Sequence, residues 1–154
     1  MIKIFLIKLF FLSAPVSLLN TFINGLFCKK QGIEGYAYRI TGNQMPSPDL
    51  KPKPPKGIKT TLYIFELTDL SQVTRQGQSS FYSSVRTKLI KKVETATDGR
   101  FRVQLPPGRY SLFTKKDELF YANWFDGNNN IAPAEVLPKK MTRVEVRIDH
   151  DAYY

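Results

Sequence analysis

The chain has 154 residues and a formal net charge of +10, with 23 lysines and arginines against 13 acidic residues. This length fits one domain that buries about two thirds of its unfolded surface, and the ordinary charged fraction argues against disorder along the whole chain. One cysteine and one histidine exclude an internal disulfide, a zinc ligand set and a Ser/His/Asp or Cys/His arrangement within the fold.

The first residues predict an export segment. Lys3 and Lys8 accompany a mostly apolar run at residues 9–19, which is the layout of a signal peptide. A retained membrane anchor is the alternative, but Pro15 and Asn20 interrupt a stretch that would need about twenty apolar residues. We therefore expect a signal peptide at 1–27, a short tether at 28–31, the folded domain at 32–150 and a tail at 151–154.

Cys28 lies where a bacterial lipoprotein is cleaved and acylated. That signal prefers a small residue just before the cysteine, and this chain has Phe27 there. A lone cysteine at this junction otherwise has no structural task. We expect Cys28 to be lipidated and to tether the domain at the outer membrane or in the periplasm. A secreted chain with an incidental cysteine is the alternative.

Residues 33–40 (IEGYAYRI) predict the first strand, with Tyr36 and Tyr38 facing inward. Residues 41–57 contain five prolines and predict a stiff surface loop; a docking peptide in its 46–57 part is the alternative. Residues 59–67 predict a strand covered on both faces. Residues 68–84 predict a long loop between strands, with a helical turn at 69–73. Phe81 and Tyr82 are expected to anchor this loop to the sandwich.

Residues 97–112 (TDGRFRVQLPPGRYSL) predict the central turns of the fold. Asp98-Gly99 favours a type I′ hairpin, which would pair residues 89–95 with 101–105. Residues 101–105 alternate apolar side chains with charged or polar ones, so one face of this strand is expected to be buried and the other exposed to solvent. Pro107-Gly108 favours a type II turn after this strand.

The order of these parts resembles the carboxypeptidase regulatory-like domain of the transthyretin-like (prealbumin-like) superfamily. The resemblance rests on GIEGYAY at 32–38, GNQMP at 42–46, the pattern TD-x-G-x-F…LPPG-x-Y at 97–110 and the run at 141–148. It implies a seven-stranded Greek-key β-sandwich, with no catalytic residue in the pattern. Such domains accompany metallocarboxypeptidases, precede some outer-membrane transporters or stand alone as envelope lipoproteins. No second domain follows here, so we expect the stand-alone type.

The superfamily also contains hydroxyisourate hydrolases, which use several histidines and a C-terminal YRGS-like motif. This chain ends His-Asp-Ala-Tyr-Tyr instead. A pair of catalytic carboxylates stays open in principle, because spacing along the sequence does not determine spacing across a sandwich. We expect no enzyme activity and no cofactor.

Residues 117–130 (DELFYANWFDGNNN) contain the candidate ligand site, formed by Tyr121, Trp124, Phe125, Asp126 and Asn128. Aromatic rings beside amides suit a sugar or a peptide, provided that the rings are exposed and coplanar. The alternative is that the rings close one end of the core. The spacing of the Asp and Asn residues imitates a calcium loop, but the required glycine and glutamate are absent, so we expect no metal.

Residues 142–149 predict the last strand, in which Val144, Val146 and Ile148 alternate with charged residues. Val136 belongs to a short preceding strand, and His150 to Tyr154 are expected at the surface. Without the export segment the charge falls from +10 to +8. An exported domain argues against nucleic acid as the partner, so envelope proteins or polysaccharide are the expected partners besides the membrane.

The sequence therefore predicts a non-catalytic, lipid-anchored envelope sandwich that acts as a structural or protein-interaction module. A carbohydrate or small-ligand binding module that uses the aromatic cluster is the alternative.

Overall fold

The structure is a computed structural model that describes residues 31–46 and 54–154. The expected export segment, Cys28 and residues 47–53 of the proline-rich run lie outside the described residues, so the predictions made for them stay predictions. No helix in the described ranges is long and apolar enough to span a membrane.

The described residues form eleven strands and one short 3₁₀ helix. The strands are β1 (Gly32–Asn43), β2 (Lys56–Gly57), β3 (Thr61–Glu66), β4 (Val73–Arg75), β5 (Phe81–Val85), β6 (Leu89–Glu94), β7 (Arg100–Gln104), β8 (Gly108–Lys116), β9 (Leu119–Tyr121), β10 (Pro133–Val136) and β11 (Met141–Tyr153). Six of these strands match the strands predicted above. β8 follows the predicted turn at Pro107-Gly108, β9 lies in the segment of the candidate ligand site, and β2, β4 and β5 lie in segments that were predicted as loops.

The strands form two sheets packed as a sandwich, which confirms the predicted all-β fold. In the smaller sheet, β1 lies between β11 on one side and β7 with β2 on the other. β1 and β11 run parallel, from Gly32 beside Met141 to Asn43 beside Tyr153. The larger sheet has the order β4-β5-β9-β8-β3-β6, and β10 pairs with the first half of β8.

The predicted hairpin between residues 89–95 and 101–105 is wrong. β6 pairs with β3 and β7 pairs with β1, so the segment between them carries the chain from one sheet to the other. The turn is a three-residue loop in which Gly99 N donates to Ala96 O and Ala96 N donates to Arg100 O. Gly99 has a positive φ of 87° and Asp98 does not, so the turn is not type I′.

The predicted type II turn at Pro107-Gly108 is also wrong. Gly108 has φ 155°, far from the value of about 80° that this turn requires. The corner is held by Tyr110 instead, whose hydroxyl donates to Pro106 O at 2.9 Å. This hydrogen bond satisfies a carbonyl that the strand ladder leaves free.

The main core lies between the two sheets. The inward faces of β7 and β8 follow the predicted alternation, with Phe101, Val103 and Leu112 buried. On β1 the prediction was wrong, because Ile33 and Ala37 are fully buried whereas Tyr36 and Tyr38 stack on the outer face. Both faces of β1 are apolar enough to enter a core, so alternation alone did not select the inner one.

A second core covers the opposite face of the larger sheet. Phe65 and Phe113 point away from the main core, and their rings meet edge to face at 5.5 Å. Tyr82 of β5 is fully buried against Phe113, with ring centroids 5.8 Å apart. This cluster confirms that β3 is covered on both faces.

The segment 68–84 supplies much of that cover. Its helical turn is confirmed as a 3₁₀ helix at Leu70–Gln72, which begins with a capping box between Asp69 and Gln72. The part of this segment after the helix is not an irregular loop, because β4 and β5 form an antiparallel pair that extends the larger sheet.

The end of the chain also differs from its prediction. Tyr153 and Tyr154 are exposed as expected, but β11 continues to Tyr153 and the side chain of His150 is only 8% exposed. The tail expected at 151–154 therefore begins as part of the last strand.

We expect Gly99→Ala to lower the free energy of unfolding by about 2 kcal/mol more than Gly77→Ala. Both glycines have a positive φ, so alanine carries a similar backbone penalty at either position. Only at Gly99 would the added carbon meet backbone, at 2.2 Å from Ala37 O, whereas nothing lies within 4 Å at Gly77. Urea unfolding of the two variants measures the difference, and equal losses would contradict the close approach.

Candidate functional site

The candidate site is a cleft of about 440 Å³ between the two sheets, where β10 and β11 border the sandwich. Its floor is apolar, with Leu112 and Ala134 on the larger sheet and Val144 and Val146 on the smaller one. Polar and charged side chains surround this floor: Thr114, Tyr121, Asn123, Glu135, Thr142, Arg143, Glu145 and Arg147. A volume between about 300 and 1,000 Å³ and an apolar floor are typical of a ligand site.

Trp124 lies at this cleft with 54% of its surface exposed. Tyr121 lines the same cleft, but only 4% of its surface is exposed. The two rings are therefore brought to one site without forming the exposed, coplanar surface that the sugar hypothesis requires. Trp124 is the aromatic ring in this cleft that a ligand can reach from solvent.

Phe125, Asp126 and Asn128 do not line the cleft. Phe125 is half-buried and packs against the second core. The Asp126 carboxylate accepts hydrogen bonds from the backbone N–H groups of Asn128 and Asn130 and from the Arg109 guanidinium. The hydrogen bond from the Asn130 side chain is the largest cause that holds the pKa of Asp126 below its usual range. Asp126 therefore stabilises its own turn.

The hydroxyl of Thr142 is the least expected polar group in the cleft. Its Oγ1 is buried and has no hydrogen-bond partner among the described residues. A buried hydroxyl without a partner costs free energy, so native structures pair most such groups. A ligand with a polar atom in the cleft would supply the missing partner.

Asp149 holds one end of β11 against β9. Its carboxylate accepts hydrogen bonds from Tyr121 Oη at 2.6 Å, from Tyr154 Oη at 2.7 Å and from the Asn123 amide. The Arg147 guanidinium lies 2.9 Å away, and the side chain of Asp149 is 8% exposed. Burial acts to raise the pKa of Asp149, but the hydrogen bonds from Tyr121 and Tyr154 and the charge of Arg147 outweigh it, and the pKa lies below its usual range.

The same contacts affect Tyr121. Burial raises the pKa of its phenol, and the hydrogen bond to Asp149 raises it further. Tyr121 therefore stays neutral, and its hydroxyl donates a hydrogen bond to the ionised carboxylate. This bond stabilises the wall of the cleft behind Trp124.

His150 belongs to a separate polar cluster. Its ring packs against Phe81 and Tyr121, and its Nδ1 lies 3.1 Å from Lys116 Nζ and 3.0 Å from Asp151. Lys116 and Arg39 both pair with Asp151, and the hydrogen bond from Lys116 is the largest cause that lowers the pKa of this carboxyl. The hydrogen-bonding neighbours described for His150 are thus a cation and a carboxylate, with no hydroxyl or thiol among them.

Two lysines of β6 lie elsewhere on the surface. Lys91 and Lys92 of β6 face Arg102 of β7 across a more open groove of about 610 Å³. Arg102 pairs with Glu34 at 3.5 Å, and Lys92 lies over the Tyr63 ring at 5.3 Å. Lysines on an edge strand discourage pairing with other chains, which is sufficient to explain their presence on β6.

The prediction from sequence missed Asn123, Thr142 and the β11 side of the cleft. The alternation in residues 142–148 indicated a strand with one buried face, and this part of the prediction is confirmed. Nothing in that pattern indicates that β11 lies at the border of its sheet.

We expect Thr142→Val to raise the free energy of unfolding by about 1 kcal/mol, because it removes a buried hydroxyl without a partner at nearly constant volume. Thr114→Val is the matched control. Thr114 is buried in the same cleft and its hydroxyl donates to Tyr121 O, so its loss should destabilise the protein. Urea unfolding compares the two, and a destabilised Thr142→Val variant would show that the hydroxyl has a partner.

We expect Asp149 to contribute to loss of stability in acid. Its pKa is lowered by folding, so its contribution is present above about pH 4, the ordinary carboxyl value, and is lost as the pH falls through the lowered pKa. Below pH 4 the free energy of unfolding of Asp149→Asn should therefore fall less steeply than that of the wild type. Some fall remains, because Asp69, Asp126 and Asp151 also have lowered pKa values. The exposed Asp117→Asn is the control. Identical acid profiles for Asp149→Asn and the wild type would overturn this assignment.

Comparison of the chain with protein-family models, with curated proteins and with solved structures found no match. The structure supports the β-sandwich fold that the family resemblance implies, but it does not test membership of the family.

Proposed function

We propose that the chain is a non-catalytic, membrane-tethered binding module of the cell envelope that holds its ligand in the cleft between β10 and β11. The observation that carries the proposal is the cleft itself. It joins an apolar floor to a buried, unpartnered hydroxyl at Thr142 and to an exposed ring at Trp124. An apolar floor supplies binding free energy, and a few fixed polar groups supply orientation.

The rest of the proposal rests on the sequence. The TD-x-G-x-F…LPPG-x-Y pattern resembles the carboxypeptidase regulatory-like domain, and the pattern contains no catalytic residue. The export segment and Cys28 support a lipid tether at the membrane. A tethered sandwich with an open cleft is suited to capture a partner near the membrane surface.

The charge of the cleft narrows the class of ligand. Arg143 and Arg147 lie at its border on β11, with Glu145 between them, and Glu135 lies on the β10 side. Arg147 is paired with Asp149, whereas no ion pair is described for Arg143. A ligand with an apolar body and an anionic group therefore fits better than a neutral sugar.

We expect 2-naphthalenesulfonate, which has an apolar ring and one anionic group, to bind the full chain and to shift the fluorescence of its single tryptophan. Val144→Phe should fill the floor of the cleft and weaken binding at least tenfold. Val93→Phe is the matched control, because it places the same ring at the groove between β6 and β7. Titration in maltoside micelles measures both, with protein-free micelles as the blank. Unchanged binding by Val144→Phe, or equal loss in the two variants, would reject the cleft as the site.

A further inference from the structure

The cleft follows a strand edge that has no partner in residues 31–46 and 54–154. β11 pairs with β1 along one side, and no described strand pairs with its other side. Six consecutive residues of β11, 142–147, line the cleft. Successive side chains of a strand point to opposite faces, so a cavity that touches all six must run along the edge and not only beneath one face.

The register shows which backbone groups point into the cleft. Lys140 O accepts from Gly32 N, and Val144 O lies so close to β1 that a side-chain carbon at Gly35 would be 1.7 Å from it. In a parallel pair alternate residues direct their N–H and C=O groups to the neighbouring strand. The even-numbered residues thus bond to β1, and the N–H and C=O groups of Arg143, Glu145 and Arg147 point toward the cleft.

A free row of donors and acceptors is a template for another extended chain. Six residues of strand span about 20 Å, which matches a peptide of five to seven residues. The apolar floor at Val144 and Val146 would receive every second side chain of this peptide. The remaining side chains would lie beside Arg143, Glu145 and Arg147 on the outer face.

The walls of the cleft select a slender occupant. β10 and residues 121–124 line the same cleft as the free edge. With these residues beside the edge, a single extended segment fits more readily than the border strand of a folded domain. The charge of the chain, +10 overall, also opposes association of two copies.

We propose that the cleft binds an extended peptide segment of another protein, which adds as a strand to the free edge of β11 and presents acidic side chains to Arg143 and Arg147. This inference rests on the proposed function and specifies its ligand. Valine or another medium-sized apolar residue at alternate positions fits the floor, and an acidic, basic, acidic series on the other face complements Arg143, Glu145 and Arg147.

The probe is the seven-residue peptide Val-Glu-Val-Lys-Val-Glu-Val, blocked at both ends and labelled for fluorescence anisotropy with the full chain in maltoside micelles. The peptide reads the same in both directions, so it complements β11 in either orientation. The same peptide with its glutamates and lysine exchanged should bind at least tenfold more weakly, because it places like charges beside one another.

N-methylation tests the backbone pairing itself. One peptide carries N-methyl groups on its charged residues, and another carries them on alternate valines. Only one of the two sets points its N–H groups at β11, so one peptide should lose at least tenfold in affinity while the other stays within threefold. Loss in the charged set indicates antiparallel addition, and loss in the valine set indicates parallel addition. Equal behaviour of the two peptides would overturn strand addition.

A variant of the protein gives a second test. Glu145→Pro removes the N–H group that points into the cleft but leaves the ladder to β1 intact, so it should abolish binding of the peptide. Glu145→Thr keeps the N–H group and is the control, with thermal unfolding as the check that both variants fold. Equal binding by the two variants would overturn the assignment of the edge.

The outcomes separate this inference from the proposed function. If 2-naphthalenesulfonate binds at the cleft and the peptide does not, the cleft is a small-molecule site and strand addition is wrong. If neither binds, the proposed function fails as well. If sedimentation equilibrium detects a dimer that Glu145→Pro dissociates, the occupant of the β11 edge is a second copy of the chain and not a peptide of another protein.

Discussion

The parallel pairing of β1 with β11 is the contact on which the rest of the structure depends. It joins the first and last strands of the domain over their full length. The strands approach so closely that glycine at position 35 leaves room for Val144 O. Among the described strands β11 pairs with β1 alone, so it lies at the border of the smaller sheet. The cleft follows the edge of β11 that no described strand covers.

The larger sheet gives the cleft a rigid floor. β8 is buried on both faces, with Leu112 in the main core and Phe113 in the second core. Close contact on both faces leaves such a strand little freedom to move. The main core ends toward β11, where Val144 and Val146 are only partly buried. The site therefore lies where a rigid floor meets a border that the core does not fill.

The polar contacts at the end of β11 complete this arrangement. Asp149 draws hydrogen bonds from Tyr121 and Asn123, which belong to the opposite wall of the cleft. The carboxylate is almost buried, and donors from both walls satisfy it. One side chain thus connects the two sheets beside Trp124, while the cleft stays open along residues 142–147.

The sequence by itself determined the period of the strands and the places where the chain must turn, because alternation and glycine conformation are local properties. It predicted the buried faces of β7 and β11, the two covered faces of β3 and the turn at Gly99. It could not determine which strands pair, so residues 89–95 and 101–105 were joined in one hairpin although they lie in different sheets. It brought Tyr121 and Trp124 into one candidate site but missed Thr142 and Asp149. Only the tertiary structure decided these features, because the cleft brings β11 together with β8 and β9, which lie about twenty residues or more earlier in the chain and belong to the other sheet. How these strands pack depends on the surface they bury together.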